Sequence, residues 1–266
     1  MDRTNDANPK ALQAAFSFLD ATLAPLFVAS GVDRERRIRT GGSVGLLPVL
    51  ATIVGGVPLG ASDVALSHPA IRGGALDLES RGFDLVVVDE CFGSDGAEVL
   101  TAVRRADPTS SPVVLRFNST DSATALDPEV LVRELERAQC ALIYSHVRTA
   151  ITQANWAGVV LGPSSALSVE RIVTLDLHAM KEIVLIGCAS GRANLFVGEV
   201  TVAHAAALAG SREVFSALWP IRPKLGARVA AHLAEVLARG ESLGDGLSQL
   251  FLADRVSAAP FVLLSP

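Results

Sequence analysis

The order of apolar and polar positions predicts alternating strands and helices along most of the chain. Short apolar runs rich in Val, Ile and Leu are typical of strands that are buried on both faces of a sheet. Such runs predict strands at residues 83–88, 112–117, 140–144, 182–187 and 213–218. Apolar residues at helical spacing predict intervening helices at residues 98–105, 128–138, 169–177, 199–209 and 223–239. This alternation predicts an α/β fold with a central, mostly parallel sheet covered by helices on both faces.

The N-terminal part of the chain has a different pattern. Asn8 and Pro9 are typical of a helix start, and the apolar residues that follow share one helical face: Leu12, Phe16, Leu19 and Leu23. We therefore expect a first helix that ends or kinks at Pro25. Between residues 37 and 60, short apolar runs alternate with glycines, which predicts short strands joined by turns. No low-complexity linker or internal repeat divides the chain, so we expect a single domain.

The composition excludes two broad classes of protein. Half of the 266 residues are apolar and the mean hydropathy is +0.39, so the chain can bury a full core and is not intrinsically disordered. Every apolar stretch of about 18 residues contains a charge or a Gly/Pro break, so we expect no membrane span. The polar first residues do not resemble a signal peptide, and three cysteines are too few for a disulfide framework. We therefore expect a cytoplasmic protein.

The charge balance argues against a nucleic-acid partner. Lys and Arg number 23 against 28 Asp and Glu, which gives a net charge of −5, whereas a nucleic-acid binder usually has a basic excess. Aromatic residues make up only 5% of the chain, so platforms for base stacking are not expected either. We therefore expect contact with neither nucleic acid nor a membrane.

Several familiar motifs are incomplete in this sequence. The apolar run before Asp89 and Glu90 is similar to the strand and acid of a nucleotide hydrolase, but the sequence contains no phosphate-binding loop. The same segment resembles a response-regulator receiver, but none of the three lysines follows closely enough to pair with Asp89. The histidines and cysteines match no common spacing of metal-ligand pairs, so we expect no metal site.

One pair of residues remains as candidate chemistry. His146 and Cys188 each follow the carboxyl end of a predicted buried strand, and sites in parallel sheets are built at that edge. A cysteine nucleophile needs a nearby base to remove its proton, and an imidazole is the usual partner. A buried structural thiol is the alternative interpretation of Cys188. Cys91 and Cys140 are not expected to take part in the chemistry.

A longer pattern surrounds Cys188. An apolar strand is followed by a small residue and the cysteine, a glycine three residues later, a Gly-Glu pair, an Ala-rich helix, and a strand that ends in Leu-Trp-Pro. The residues are Gly191, Gly198-Glu199, Ala209-Gly210 and Leu218-Trp219-Pro220. This pattern resembles the CHAT family, caspase-like proteins of the gingipain and separase group, and residues 141–147 are similar to its histidine strand. The similarity predicts a caspase-like core at residues 37–250, after a helical extension at residues 1–36.

The resemblance implies a three-layer α/β/α fold and a cysteine endopeptidase that acts on a protein or peptide substrate. His146 would accept the thiol proton, Cys188 would attack the scissile carbonyl, and the N–H groups of Val147 and Cys188 would form the oxyanion hole. No metal or organic cofactor is implied, and a separate regulatory or sensor protein is expected as a partner. The relatives also imply a preference for a basic residue before the cut, with Glu199 or Asp176 as the acid of the substrate pocket.

Two departures from the family pattern keep an alternative open. Val147 replaces the glycine that usually follows the histidine, and its branched side chain enters the space near the oxyanion. The acidic residue that usually follows Trp-Pro is also absent. A catalytically silent module that binds protein partners is therefore the second interpretation, and a hydrolase of small molecules on the same dyad is the third.

Overall fold

The computed structural model describes residues 82–148, 157–188, 190–191 and 201–264, together with four two-residue strands. The short strands are β1 (Ile38–Arg39), β2 (Ile53–Val54), β3 (Val57–Pro58) and β4 (Leu66–Ser67). They lie in and just after the segment for which short strands were predicted. The helix predicted between Pro9 and Pro25 lies outside the described residues.

The longer strands agree closely with the predicted runs. They are β5 (Leu85–Asp89), β6 (Val113–Phe117), β7 (Cys140–Tyr144), β8 (Val147–Arg148), β9 (Gly158–Gly162), β10 (Ser165–Ser168), β11 (Glu182–Ile186), β12 (Glu213–Ala217) and β13 (Phe261–Leu264). The main sheet of the described chain has the order β1-β4-β13-β12-β11-β7-β5-β6. All its pairs are parallel except β12 with β13. This confirms the predicted α/β fold with a mostly parallel sheet.

Helices cover both faces of this sheet. They are α1 (Ser94–Ala106), α2 (Pro128–Leu135), α3 (Val169–Val173), α4 (Val202–Leu208), α5 (Pro223–Ala238), α6 (Leu243–Ala253) and α7 (Arg255–Ala258). Alternate residues of β5 divide between two apolar cores, with Val86 packed on the side of α1, α5 and α6, and Leu85 on the side of α2, α3 and α4. The result is a three-layer α/β/α arrangement. Within the described residues, none of the helices is long and apolar enough to span a membrane.

Three features differ from the sequence-based expectations. Strand β6 was predicted to be buried, but it is an edge strand in which Val113 is 45% exposed. Strands β8, β9 and β10 form a small antiparallel sheet that was not predicted, and it begins directly after His146. Strand β13 joins the main sheet beyond residue 250, so the sheet extends past the predicted end of the core. The sequence pattern alone does not show which apolar run adds to which edge.

The topology brings several loops to one edge. Strands β5, β7, β11 and β12 are adjacent and parallel, so the segments after Asp89, Tyr144, Ile186 and Ala217 all leave the carboxyl edge of the sheet. Ligand and catalytic sites of parallel α/β sheets lie at this edge.

Candidate active site

His146 and Cys188 follow neighbouring strands at matching positions. Tyr144 at the end of β7 pairs with Ile186 at the end of β11, and each candidate residue stands two positions further on. The N–H of Ser145 donates to the Ile186 carbonyl at 3.3 Å, which extends the contact beyond the strands. The His146 side chain is exposed and Cys188 is half-buried, so both are accessible from the edge. The structure therefore places the two residues singled out from the sequence after neighbouring strands, at the same edge of the sheet.

The turn after Cys188 is fixed by a buried serine. The hydroxyl of Ser190 donates to the Leu185 carbonyl at 3.2 Å and accepts from the N–H of Ala217 at 3.2 Å, so it joins β11 to β12. The N–H of Gly191 donates to the Ala217 carbonyl at 2.8 Å. A Cβ on Gly191 would overlap the Ser216 hydroxyl, so a larger residue three positions after the cysteine would force the Ser216 side chain to move. This network holds the segment after Cys188 against the sheet.

Gly187, the small residue before Cys188, touches the histidine loop. A Cβ at Gly187 would lie 2.5 Å from Cγ2 of Val147 and 2.8 Å from the carbonyl oxygen of Ser145. Real Cβ atoms do not approach other heavy atoms so closely, so only glycine allows this contact between the two loops. The branched side chain of Val147 thus fills the space beside the residue that precedes the thiol.

The histidine loop is tied to the small antiparallel sheet. The buried Ser145 hydroxyl donates to the Val160 carbonyl at 2.9 Å, and the N–H of Val160 donates to the His146 carbonyl at 2.9 Å. The ring of Phe92 lies against the imidazole, with 4.5 Å between ring centroids. Backbone bonds and an aromatic neighbour therefore position His146, while its side chain stays exposed.

The thiol of Cys188 has a hydrogen-bond partner in the segment after β12. Its Sγ donates to the carbonyl of Ile221 at 3.7 Å. The nearby hydroxyl of Tyr144 donates to the carbonyl of Pro223 at 2.9 Å and attaches this segment to β7. The Leu-Trp-Pro segment after β12 therefore leads directly to the carbonyl that contacts the candidate nucleophile.

A second cysteine lies close to His146. Ligand atoms of Asp89, Cys91 and His146 all lie within 4.8 Å of one another. Burial raises the pKa of the Cys91 thiol to about 11, and the neighbouring Asp89 carboxylate adds to this rise. Cys91 is therefore a protonated thiol at neutral pH, which makes it a poor nucleophile.

The two predicted pocket acids have different outcomes. Asp176 precedes β11, so it lies towards the amino edge of the sheet, whereas Cys188 follows the same strand at the carboxyl edge. Its exposed carboxylate contacts Nδ1 of His178 at 2.8 Å, and this interaction lowers its pKa. This placement contradicts the expectation that Asp176 lines a pocket beside the thiol. Glu199 lies outside the described residues.

Sequence reasoning missed Asp89, Cys91 and Phe92 as neighbours of His146, and Ser190 as the anchor of the cysteine turn. Asp89 ends β5 and Cys91 follows it at the same edge, and that position is the signal that was available. The missing information was the strand order, because β5 pairs directly with β7 although β6 lies between them in sequence.

The fold and the paired strand ends define a caspase-like α/β protein. A model of the CHAT domain matches residues 92–253, more than half of the chain. The chain therefore belongs to the CHAT-domain family, which confirms the resemblance seen around Cys188. No curated protein matches the sequence.

Solved structures with the same fold are distant in sequence. The Saccharomyces cerevisiae separase in complex with securin has a TM-score of 0.56 at 12% identity, over 84% of this chain and 15% of that chain. The Arg-specific cysteine proteinase gingipain R has a TM-score of 0.51 at 8% identity, over 77% of this chain and 55% of that chain. The complex of the Porphyromonas gingivalis RgpB pro- and mature domains has a TM-score of 0.50 at 10% identity, over 77% and 56%. The chain thus spans about half of the gingipain chains and a small part of separase.

Proposed function

We propose that this protein is a cysteine endopeptidase that uses His146 as the base and Cys188 as the nucleophile. The observation that carries the proposal is the matching position of the two residues after the paired strands β7 and β11. The caspase-like fold and the membership of the CHAT family support it. The exposed imidazole and the half-buried thiol are also accessible to a substrate chain.

The proposed reaction has two steps. His146 takes the proton of Cys188, and the sulfur attacks the scissile carbonyl carbon to give a tetrahedral oxyanion. The C–N bond then breaks, the amine leaves with the proton from His146, and a thioester remains on Cys188. Water, deprotonated by His146, hydrolyses the thioester and restores the thiol. The thiol must first leave the Ile221 carbonyl to which it donates.

In this proposal, the backbone N–H groups of Cys188 and Val147 bind the oxyanion. Removing one such donor typically lowers the rate by about 10²–10³-fold. The Ser190 network holds the first donor in place by joining β11 to β12. The contact of Val147 with Gly187 sets the position of the second donor relative to the thiol.

The proposed substrate is a protein segment with a basic residue before the cut. Gingipain R is described as Arg-specific, and it shares the fold of this chain. A carboxylate beside the dyad would bind an arginine side chain by charge-assisted, bidentate hydrogen bonds. Glu199 remains the candidate for that carboxylate.

A fluorogenic peptide library, varied at the residue before the cut, tests the proposal. The wild-type protein should cleave Arg and Lys peptides at least tenfold faster than Asp or Leu peptides. Cys188→Ala should abolish cleavage, whereas Cys140→Ala is the matched control because Cys140 lies at the opposite end of β7. Equal cleavage of all peptides would contradict the basic preference alone. Retained cleavage by folded Cys188→Ala would contradict the proposed nucleophile.

A silent protein-binding module is the second candidate, and one observation favours it. Val147 fills the space between the two loops, where the family usually has a glycine. If no peptide is cleaved, Val147→Gly separates the two candidates. Cleavage that appears in this variant supports a blocked oxyanion position, while continued inactivity at unchanged stability supports a module that acts through a protein partner.

A further inference from the structure

A second group of ligand-type side chains meets at the carboxyl edge and includes His146. One ligand atom from each of Asp89, Cys91 and His146 lies within 4.8 Å of the others. The three come together because β5, which ends at Asp89, pairs directly with β7. The proposed peptidase reaction uses His146 alone of these three.

Asp89 offers an oxygen without a partner. Its Oδ1 accepts hydrogen bonds from the N–H of Cys91 at 3.1 Å and from the N–H of Ser119 at 3.0 Å. Its Oδ2 is buried and has no hydrogen-bond partner among the described residues, and the residue as a whole is 0% exposed. A buried carboxylate oxygen that accepts no hydrogen bond is unfavourable unless a cation binds it.

We propose that Asp89, Cys91 and His146 form a binding site for a zinc ion. Carboxylate oxygen, thiolate sulfur and imidazole nitrogen are the three ligand types that zinc prefers, and three protein ligands leave the fourth tetrahedral position for water. Zinc bonds of about 2.0–2.3 Å set neighbouring ligand atoms roughly 3.3–3.6 Å apart. The present spacing of up to 4.8 Å must therefore decrease by about 1.2–1.5 Å, which rotation of the exposed His146 ring can supply.

Other contacts prepare the ligands for a metal. The two backbone N–H donors hold the Asp89 carboxylate through Oδ1, and the Ser119 hydroxyl donates to Cys91 Sγ at 3.5 Å. The Phe92 ring supports the imidazole from one side. Such outer contacts orient ligands and typically change metal affinity by about 10–100-fold when removed. When zinc binds, it replaces the thiol proton of Cys91, which is released to solvent.

Zinc at this site withdraws His146 from the proposed dyad. The imidazole nitrogen that binds the metal gives up its lone pair, and the other ring nitrogen carries a hydrogen, so neither accepts the proton of Cys188. Zinc is therefore an inhibitor of cleavage, and this second half of the inference rests on the proposed function. The binding site itself does not depend on that function.

Metal binding is tested directly on the full chain, with zinc in calorimetry and cobalt as a spectroscopic substitute. One equivalent of zinc should bind to the wild type, and cobalt should give a thiolate-to-metal absorption band. Cys91→Ala should remove that band, and Asp89→Asn and His146→Ala should each weaken zinc binding at least tenfold. Cys188→Ala is the matched control and should keep both the band and the affinity.

Folding of each variant is checked by the midpoint of thermal unfolding without metal. His146→Ala keeps the test valid if the buried changes disturb folding, because the His146 side chain is exposed. A band that persists in Cys91→Ala, or that is lost in Cys188→Ala, overturns the proposed ligand set. Absence of binding to the wild type overturns the site.

Inhibition is measured as the ratio of cleavage rates with and without zinc for the wild type and for Cys91→Ala. Zinc should lower the cleavage rate of the wild type at least tenfold. The rate of Cys91→Ala should be nearly the same with and without zinc. Equal inhibition of both proteins would show that zinc acts elsewhere and would overturn the regulatory half. A wild type that binds zinc but cleaves nothing contradicts the proposed peptidase and leaves the metal site standing.

Discussion

Replacing Glu213 by glutamine should stabilise the protein at alkaline pH and leave its stability at acidic pH unchanged. Glu213 begins β12 and pairs in register with Glu182, which begins β11. The two residues are only 6% and 1% exposed, so two carboxyl groups are buried side by side at the amino edge of the sheet. Two neighbouring buried carboxylates cannot both ionise without a large cost.

The size of the effect follows from the pKa of Glu213. Burial raises it from 4.5 to about 7, and repulsion by Glu182 and Asp245 adds to the rise. The folded state therefore binds the proton more tightly than the unfolded state. The resulting stabilisation is complete below pH 4.5 and is lost as the pH rises through about 7. At 1.36 kcal/mol for each pH unit, the loss is about 3 kcal/mol.

Chemical denaturation of the wild type and Glu213→Gln between pH 4 and pH 9 measures this effect. Glutamine mimics the protonated acid, so the two free energies of unfolding should agree at low pH. Above pH 7 the variant should be more stable by about 3 kcal/mol, which corresponds to roughly 6–12 °C in Tm for a chain of this size. Glu98→Gln, an exposed change on α1, is the control and should show no such difference. A difference that does not change with pH, or a wild type that is the more stable protein above pH 7, would refute the reasoning.

Three further substitutions test the packing of the candidate site. Gly187→Ala forces a Cβ against Val147, so it should lower the free energy of unfolding by about 1–3 kcal/mol, measured by denaturation, and should remove most of kcat. An unchanged kcat would contradict the close contact of the loops. Ser190→Ala removes two buried hydrogen bonds, so it should lower the free energy of unfolding by about 1–3 kcal/mol and also lower kcat. A loss of stability alone would show that the bonds do not position Cys188. Ser242→Ala removes the capping box of α6, so it should lower the free energy of unfolding by about 0.5–2 kcal/mol and leave cleavage per folded molecule unchanged. A changed kcat would show that α6 influences the site.

Much of the fold could be predicted because buried parallel strands have a strong signal. The apolar runs gave β7 within its observed bounds and β5, β11 and β12 within one or two residues. His146 and Cys188 could be placed at one edge because parallel strands share the direction in which they end. The same rule places Asp176 before β11 and hence at the other edge, so that prediction was wrong for a reason visible in the sequence.

Other features depend on contacts that no local pattern records. The neighbours of His146 follow from the pairing of β5 with β7, which is set by the packing of the whole sheet. Strand β13 is a short apolar run like many others, and its antiparallel pairing with β12 depends on the path of the preceding helices. The close packing at Gly187 and Gly191 is likewise visible only once Val147 and Ser216 are in place.

The most direct test of the central claim is to map the cysteine that reacts with a peptide carrying an electrophilic warhead. Mass spectrometry after proteolysis should find the adduct on Cys188 in the wild type, with little on Cys91 or Cys140. His146→Ala should slow the labelling of Cys188 by at least tenfold while its thermal unfolding midpoint stays unchanged, because the exposed imidazole acts as the base. Labelling of Cys188 at the same rate in both proteins, or an adduct on Cys91 instead, would contradict the assignment of His146 and Cys188 as a catalytic dyad.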